Sequence, residues 1–308
     1  MFSFNFGVDN NTPVPDQPSS FFGEGEHGSS QEGVLCEEIV CPRRWQNCDI
    51  PQVVALVLPD DVRSPLSGRH SLLELKRLAP QSDVFQPESL SFRGIPPESD
   101  LVPGSYGGGY KVWECSLDLC RFVLDSGKMQ RYKSIRGGRV LELGCGHGLP
   151  GLAAYIGLGA ANLILTDLNR EVIEDVTWPN VLLNCRSTEE SNAVRCISGD
   201  WADLKRALDN AKEDRFDLIL TAETLYTEEN GKKLLEFFRH YLSPAGVALM
   251  ANKRYYFGVG GGTSEFQRAA NTHFDGEFCI TVAQSYDDGC NNIRDLMAVT
   301  LRGDTMEV

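Results

Sequence analysis

Nine residues constrain this chain more than any others: Val140-Leu141-Glu142-Leu143-Gly144-Cys145-Gly146-His147-Gly148. The segment Arg139 to Leu143 reads as a buried strand. The glycines that follow suit a backbone that turns tightly and lies against a ligand, where any side chain would occupy the ligand's space. Pro150 then suits the start of a helix. A strand, a glycine loop and a helix in that order belong to a sheet with parallel neighbours, and the flanking sequence supplies them.

The pattern predicts helices over Val112 to Leu124, Pro150 to Leu158, Glu171 to Cys185 (interrupted near Pro179), Ala202 to Ala211 and Glu228 to Tyr241. Between them it predicts strands over Asn162 to Thr166, Ala193 to Ser198, Phe216 to Thr221 and Val247 to Ala251. Phe278 to Ala283 and Ile293 to Leu301 read as two further strands with little helix between them. The expected fold is therefore α/β: a doubly wound, Rossmann-like sheet of seven strands with a terminal antiparallel hairpin. That ending distinguishes a class I methyltransferase sheet from an ordinary dinucleotide fold.

The loop also separates cofactors. Dinucleotide loops space their glycines GxGxxG and set pyrophosphate on the helix N-terminus. Here the spacing is GxGxG, with glycines 144, 146 and 148, and Glu142 stands two residues before the first. A carboxylate there opposes pyrophosphate; it either draws the ammonium of a methionine moiety through water or only orders the loop. Asp167 ends the second strand about twenty residues on, the place for an acid that accepts ribose hydroxyls. Asp200 and Trp201 end the third strand, where a carboxylate and an apolar ring suit adenine. Asn169 and Thr221 complete the expected cofactor set. The reading is S-adenosyl-L-methionine over NAD.

Composition narrows the partners. With 43 acidic and 29 basic side chains the formal charge is -14, so phosphate backbones are repelled and no direct nucleic-acid partner is expected. A basic protein partner is favoured. The ten cysteines form no CxxC pair, and the five histidines are scattered, so no zinc site is expected. No Lys or Arg precedes position 43, which argues against a targeting leader, and no apolar run is long enough to span a bilayer. Residues 1 to 50 are polar, acidic and glycine-rich and are expected to be mostly disordered, apart from the Phe2, Phe4, Phe6 cluster. Residues 51 to 105 form an extension, with an edge strand over Val53 to Leu58 and a short helix over Ser71 to Leu78; residues 106 to 308 form the catalytic domain.

The fourth strand is followed by Thr221-Ala222-Glu223-Thr224-Leu225-Tyr226. Carboxyl ends of parallel strands open onto the ligand crevice, so Glu223 and Tyr226 are the candidate catalytic residues. Three more segments stand out: Tyr106 to Cys115 (YGGGYKVWEC), Val176 to Asn180 (VTWPN) and Tyr256 to Gly262 (YFGVGGG). Together with the glycine loop and Glu223 to Tyr226, they resemble the histidine protein methyltransferase family over about residues 106 to 301, and the Phe-Asn-Phe start is similar too. Gly107 stands where an acid is expected, and no tyrosine follows Asp167.

That resemblance implies tele-methylation of a histidine in a large-subunit ribosomal protein, L-three, hence a role in ribosome biogenesis or translation. It also implies a monomer located in cytoplasm and nucleus, including the nucleolus. Trp113 is expected to cover cofactor and substrate, and Gly258, Gly260 and Gly261 to line a loop over which substrate backbone passes. A histidine acceptor also suits the chemistry. At pH 7 about three-quarters of imidazole is neutral, whereas lysine must first lose a proton. Glu223 or Tyr226 would accept the other ring N–H and fix the tautomer. The rivals are a lysine methyltransferase on the same fold and a non-catalytic ribosome-biogenesis factor.

Overall fold

The computed structural model describes residues 36–42, the backbone of 53–56 and 75–78, and residues 108–185, 187–256, 260–287, 289 and 292–302. The strands are β1 (Glu37–Glu38), β2 (Val53–Leu56), β3 (Leu75–Leu78), β4 (Arg139–Leu143), β5 (Asn162–Asp167), β6 (Val194–Ser198), β7 (Phe216–Ala222), β8 (Leu242–Lys253), β9 (Phe278–Tyr286) and β10 (Arg294–Leu301). The principal helices are α1 (Glu114–Leu124), α2 (149–157), α3 (170–184), α4 (Trp201–Ala211), α5 (Glu228–Tyr241) and α6 (Thr263–His273).

One sheet holds eight strands in the order β1-β6-β5-β4-β7-β8-β10-β9. Strands β4 to β8 run parallel, and β10 and β9 close the sheet as the antiparallel hairpin that the sequence predicts. Alternate residues along each strand feed two cores. Val140, Leu163, Leu165, Leu218, Leu220 and Leu249 face α1, α2 and α3; Leu141, Leu143, Ile164, Ile219 and Met250 face α4, α5 and α6. Sequence order reverses between β4 and β7, and there Leu143 pairs with both Thr166 and Thr221. The strand ends are thus level at the topological switch point, where open α/β sheets bind ligands.

Helix α3 contains a π-helical stretch, Ile173–Thr177, immediately before Trp178-Pro179. Pro179 has no N–H for the regular ladder, and the wider turn accommodates its ring, so the predicted interruption is real. Helix α2 likewise passes into a π-helical stretch at Ala153–Gly157.

Three local expectations need correction. Residues 36–42, inside the segment expected to be mostly disordered, dock on the sheet as its eighth strand. Ile39 is buried, its N–H donates to the Cys196 carbonyl at 2.8 Å and its carbonyl accepts from Trp178 Nε1 at 2.9 Å. Salt bridges from Glu37 to Arg170 and from Glu38 to Arg195 use the acidic character of the stretch. The helix expected over Ser71 to Leu78 is, at Leu75–Leu78, a strand paired with Val53–Leu56. Eight residues are too few to support a helix alone, whereas a neighbouring strand satisfies their backbone directly. Helix α6 was not predicted. The Phe2 to Phe6 cluster lies outside the described residues.

Candidate functional site

A cleft opens over the ends of β4, β5, β6 and β7. Its floor is the loop Gly144 to His147, with Asp167 and Leu168 at the end of β5, Gly199 to Trp201 beyond β6, and Ala222 to Thr224 and Tyr226 at and beyond the end of β7. Gly108, Gly109 and Lys111 to Trp113 form a wall from the N-terminal side, and Asn230 and Lys233 reach in from α5. The sequence reading singled out the wall segment, Tyr106 to Cys115, and Glu223 to Tyr226, but not Asn230 or Lys233.

At the loop end, close backbone approach sets the residue types. Gly146 has φ +48°, and a Cβ there would sit 3.0 Å from the Gly109 carbonyl oxygen, so the wall packs on the loop backbone itself. Asp167 is buried; its Oδ2 accepts the Gly146 N–H at 2.9 Å and its Oδ1 the Asn169 N–H at 3.0 Å. Burial pushes its carboxyl above the ordinary range, and the backbone N–H groups oppose that shift. Asp200 caps α4 through the Ala202 N–H at 2.8 Å, and its Oδ2 lies 3.7 Å from Lys233 Nζ. Together Trp201, Leu168, Asp167 and Asp200 give an apolar wall with carboxylates at its margins, which fits an adenosine.

Four residues expected to touch the cofactor do not line the cleft. Glu142 lies on the Val140 face of β4, beneath α2, and its Oε2 accepts the Gly151 N–H at 2.7 Å. That bond fits the alternative in which Glu142 orders the loop and the start of the helix; strand alternation directs it there. Gly148 caps α2 at φ +69°, where a Cβ would press on Leu165 and Thr177. Asn169 contributes its backbone N–H to Asp167. Thr221 is fully buried and ties β7 to β4 by donating to the Leu143 carbonyl at 2.9 Å.

The other end of the cleft is built around Glu223. This residue directly follows β7 in the left-handed region, with φ +55°, a conformation that a non-glycine residue adopts at a cost. Its own N–H donates to the Ala251 carbonyl at 3.0 Å, and Asn252 Oδ1 accepts the N–H groups of Thr224 and Leu225 at 2.8 and 2.9 Å. These bonds hold the strained turn. The side chain is buried: Oε2 accepts the Tyr256 hydroxyl at 2.5 Å, and Oε1 has no partner in hydrogen-bond geometry among the described residues, with the Cys115 thiol the nearby weak donor. Burial raises the carboxyl above its ordinary range, and Lys253 is the largest influence opposing it. Burial, reinforced by Glu223, pushes the Tyr256 hydroxyl far up, so it remains a donor.

Tyr226 lines the cleft but belongs to its other end. The charges acting on it are Asp167, Lys233 and Asp200, and its hydroxyl pairs with Asn230. The tyrosine coupled to Glu223 is Tyr256, which the sequence reading placed only in a family segment; a contact spanning 33 residues leaves no local signal. The glycine cluster also changes role. A Cβ on Gly261 would lie 2.1 Å from the Leu225 carbonyl oxygen and 2.4 Å from the Tyr226 carbonyl carbon, so Gly261 packs on the chain itself. Gly260 is an exposed turn with open space around it, and Gly258 lies outside the described residues. Sequence reasoning also missed His147, a buried cleft residue whose Nε2 meets the Tyr110 carbonyl at 2.9 Å. Trp113 lines the cleft as expected, its indole N–H donating to the Gly108 carbonyl at 3.1 Å.

Comparison with known proteins finds protein methyltransferases. A family model described as lysine methyltransferase matches residues 103–268. A Dictyostelium discoideum protein named histidine protein methyltransferase 1 homolog is 38% identical over 203 residues, which is 66% of this chain and 61% of that protein. The chain thus spans just under two thirds of that relative's length. The Bos taurus protein of the same name is 33% identical over 282 residues, 84% of this chain and 73% of that one. A Danio rerio protein named protein N-lysine methyltransferase METTL21A is 34% identical over 145 residues, 47% of this chain and 61% of its own.

Proposed function

The chain belongs to the histidine protein methyltransferase 1 family, within the wider family whose model is described as lysine methyltransferase, and from that premise we propose that it methylates a histidine side chain of a protein. It is an S-adenosylmethionine-dependent methyltransferase. When bound, S-adenosylmethionine supplies an electrophilic methyl group for in-line displacement. The backbone of Gly144 and Gly146, the Asp167 carboxylate, and Asp200 with Trp201 are the residues that would hold it.

The observation that carries the acceptor assignment is Glu223: a buried carboxylate in a strained turn, with one oxygen bonded to Tyr256 and the other without a partner in hydrogen-bond geometry among the described residues. A neutral imidazole already has the lone pair it needs; what it requires is a fixed tautomer and compensation for the positive charge that develops. Glu223 Oε1 accepts the ring Nδ1–H, which leaves Nε2, the tele nitrogen, to attack. Tyr256 holds the carboxylate in place through Oε2. The acceptor protein is basic, consistent with the chain's charge of -14, and we assign it to the large ribosomal subunit, protein L-three. We accordingly place the enzyme in cytoplasm and nucleus. The lysine-directed reading shares the fold, and the METTL21A similarity belongs to it, but that similarity covers 47% of this chain against 84% for the Bos taurus relative.

Glu223→Gln and Asp167→Asn separate the two ends of the cleft. The first lowers kcat about 100-fold while the Kd for S-adenosylmethionine stays within about threefold. The second weakens cofactor binding about tenfold or more. Collapse of cofactor binding in Glu223→Gln, with turnover per bound cofactor intact, would move the acid into the cofactor site and remove the proposed role.

A further inference from the structure

Two ammonium groups stand against the ring of Trp113: Lys111 Nζ at 4.2 Å from its centroid and Lys253 Nζ at 5.6 Å. Lys253 Nζ is also 5.9 Å from the ring of Tyr256, whose hydroxyl is bonded to Glu223. Lys253 ends β8, the strand that pairs with β7 just before Glu223. Cations within about 6 Å of an aromatic face are attracted to it, so the two rings hold this ammonium beside the acceptor end of the cleft. The titratable and charged groups facing Glu223 are Glu114 and Cys115 from α1, Lys253 from β8 and Tyr256 from the loop beyond it.

We propose that Lys253 is a positioning residue that acts through Glu223 to select a neutral ring nitrogen over an amine acceptor. The inference rests on the protein-histidine reading above. An amine reaches the cleft as an ammonium. One N–H proton must first pass to a base, and Glu223 is the carboxylate at hand, before the nitrogen lone pair can form the N–C bond and the C–S electrons depart on sulfur. An imidazole needs no such transfer. Its N–H stays on the ring while the other nitrogen forms the bond, and the imidazolium product gives its proton to water after release. Burial raises the Glu223 carboxyl and the Lys253 ammonium opposes that rise, so the ammonium makes the carboxylate a weaker proton acceptor than burial alone would, while it still accepts a hydrogen bond. The same ammonium repels a second one. Lys253 therefore favours the histidine route twice.

The test uses the full chain, labelled S-adenosylmethionine, and total ribosomal protein as acceptor. Methylhistidine and methyllysine are quantified after hydrolysis between pH 5 and 9. Lys253→Met is expected to move the acid limb of methylhistidine formation, at saturating acceptor, upward by about half a pH unit or more. It is also expected to raise the methyllysine-to-methylhistidine ratio about tenfold, and Lys253→Arg restores both readouts. An unmoved limb and ratio in a folded Lys253→Met protein with wild-type cofactor affinity overturn the proposal. Should Lys253→Met not fold, Lys253→Gln is read by the same limb and ratio. Wild-type protein that forms methyllysine alone overturns the histidine reading itself, which is a separate and recognisable result.

Discussion

Glu142 and Glu223 are both buried carboxylates at strand ends, yet they do different things. Glu142 is spent on the Gly151 N–H, whereas one oxygen of Glu223 has no partner in hydrogen-bond geometry among the described residues. Burial raises the pKa of both. A carboxyl whose folded pKa lies above its unfolded value favours the fold in its neutral form. That contribution is complete below the ordinary glutamate pKa of about 4.3 and is lost as pH rises through the folded value. Glu142→Gln keeps an acceptor for Gly151 and removes the buried charge. It should melt above wild type at pH 8, with the difference shrinking toward pH 5, and should bind S-adenosylmethionine within about twofold of wild type. Calorimetry and a cofactor titration check both; a large loss of affinity would restore Glu142 to the cofactor site. For Glu223 the same shift predicts an acid-side loss of turnover at saturating acceptor, with its midpoint above about 4.3, in addition to the loss from protonation of the acceptor imidazole at about 6.5.

At the scale of elements, the sheet was legible because its strands are continuous apolar runs separated by helices at regular spacing. The glycine loop gave the crevice, and Glu223 followed from its place after the most apolar strand. What the sequence concealed was direction and distance. Period-two alternation already put Glu142 on the Val140 face, but the motif was read for its residue types and not for its face. The bond between Tyr256 and Glu223, the docking of Ile39 beneath Trp178, and the pairing of Leu75–Leu78 with Val53–Leu56 all join segments far apart in sequence. Helix α6 had a readable signal in Phe266, Ala269 and Ala270 at helical spacing, and all three are buried. The 260–262 loop makes the cleanest test. Gly261→Ala must displace the Leu225 and Tyr226 backbone and should cost about 2 kcal/mol of stability together with most activity. Gly260→Ala has open space and only its φ of +78° to contend with, so it should cost about 1 kcal/mol and leave turnover nearly intact. Equal losses of turnover at both positions, without a difference in melting, would return the loop to substrate binding.

For the whole molecule, a doubly wound sheet places the cofactor loop, Asp167, Asp200 and Glu223 around one crevice because β4 to β7 end level at the switch point. An eight-stranded sheet with a terminal hairpin leaves both ends of that cleft on rigid strand ends. The net charge of -14 acts at longer range, and a basic acceptor should be drawn to the surface by it. Raising salt from about 50 to 300 mM should therefore increase the acceptor KM about fivefold with kcat unchanged, since the Debye length shortens below the size of the interface. A salt-independent KM would argue for an acceptor of another charge. The central claim, however, concerns which atom receives the methyl group. Incubating the protein with labelled S-adenosylmethionine and total ribosomal protein, then hydrolysing and separating the amino acids, reads that atom directly. Label in tele-methylhistidine is the predicted result; label confined to methyllysine would contradict it.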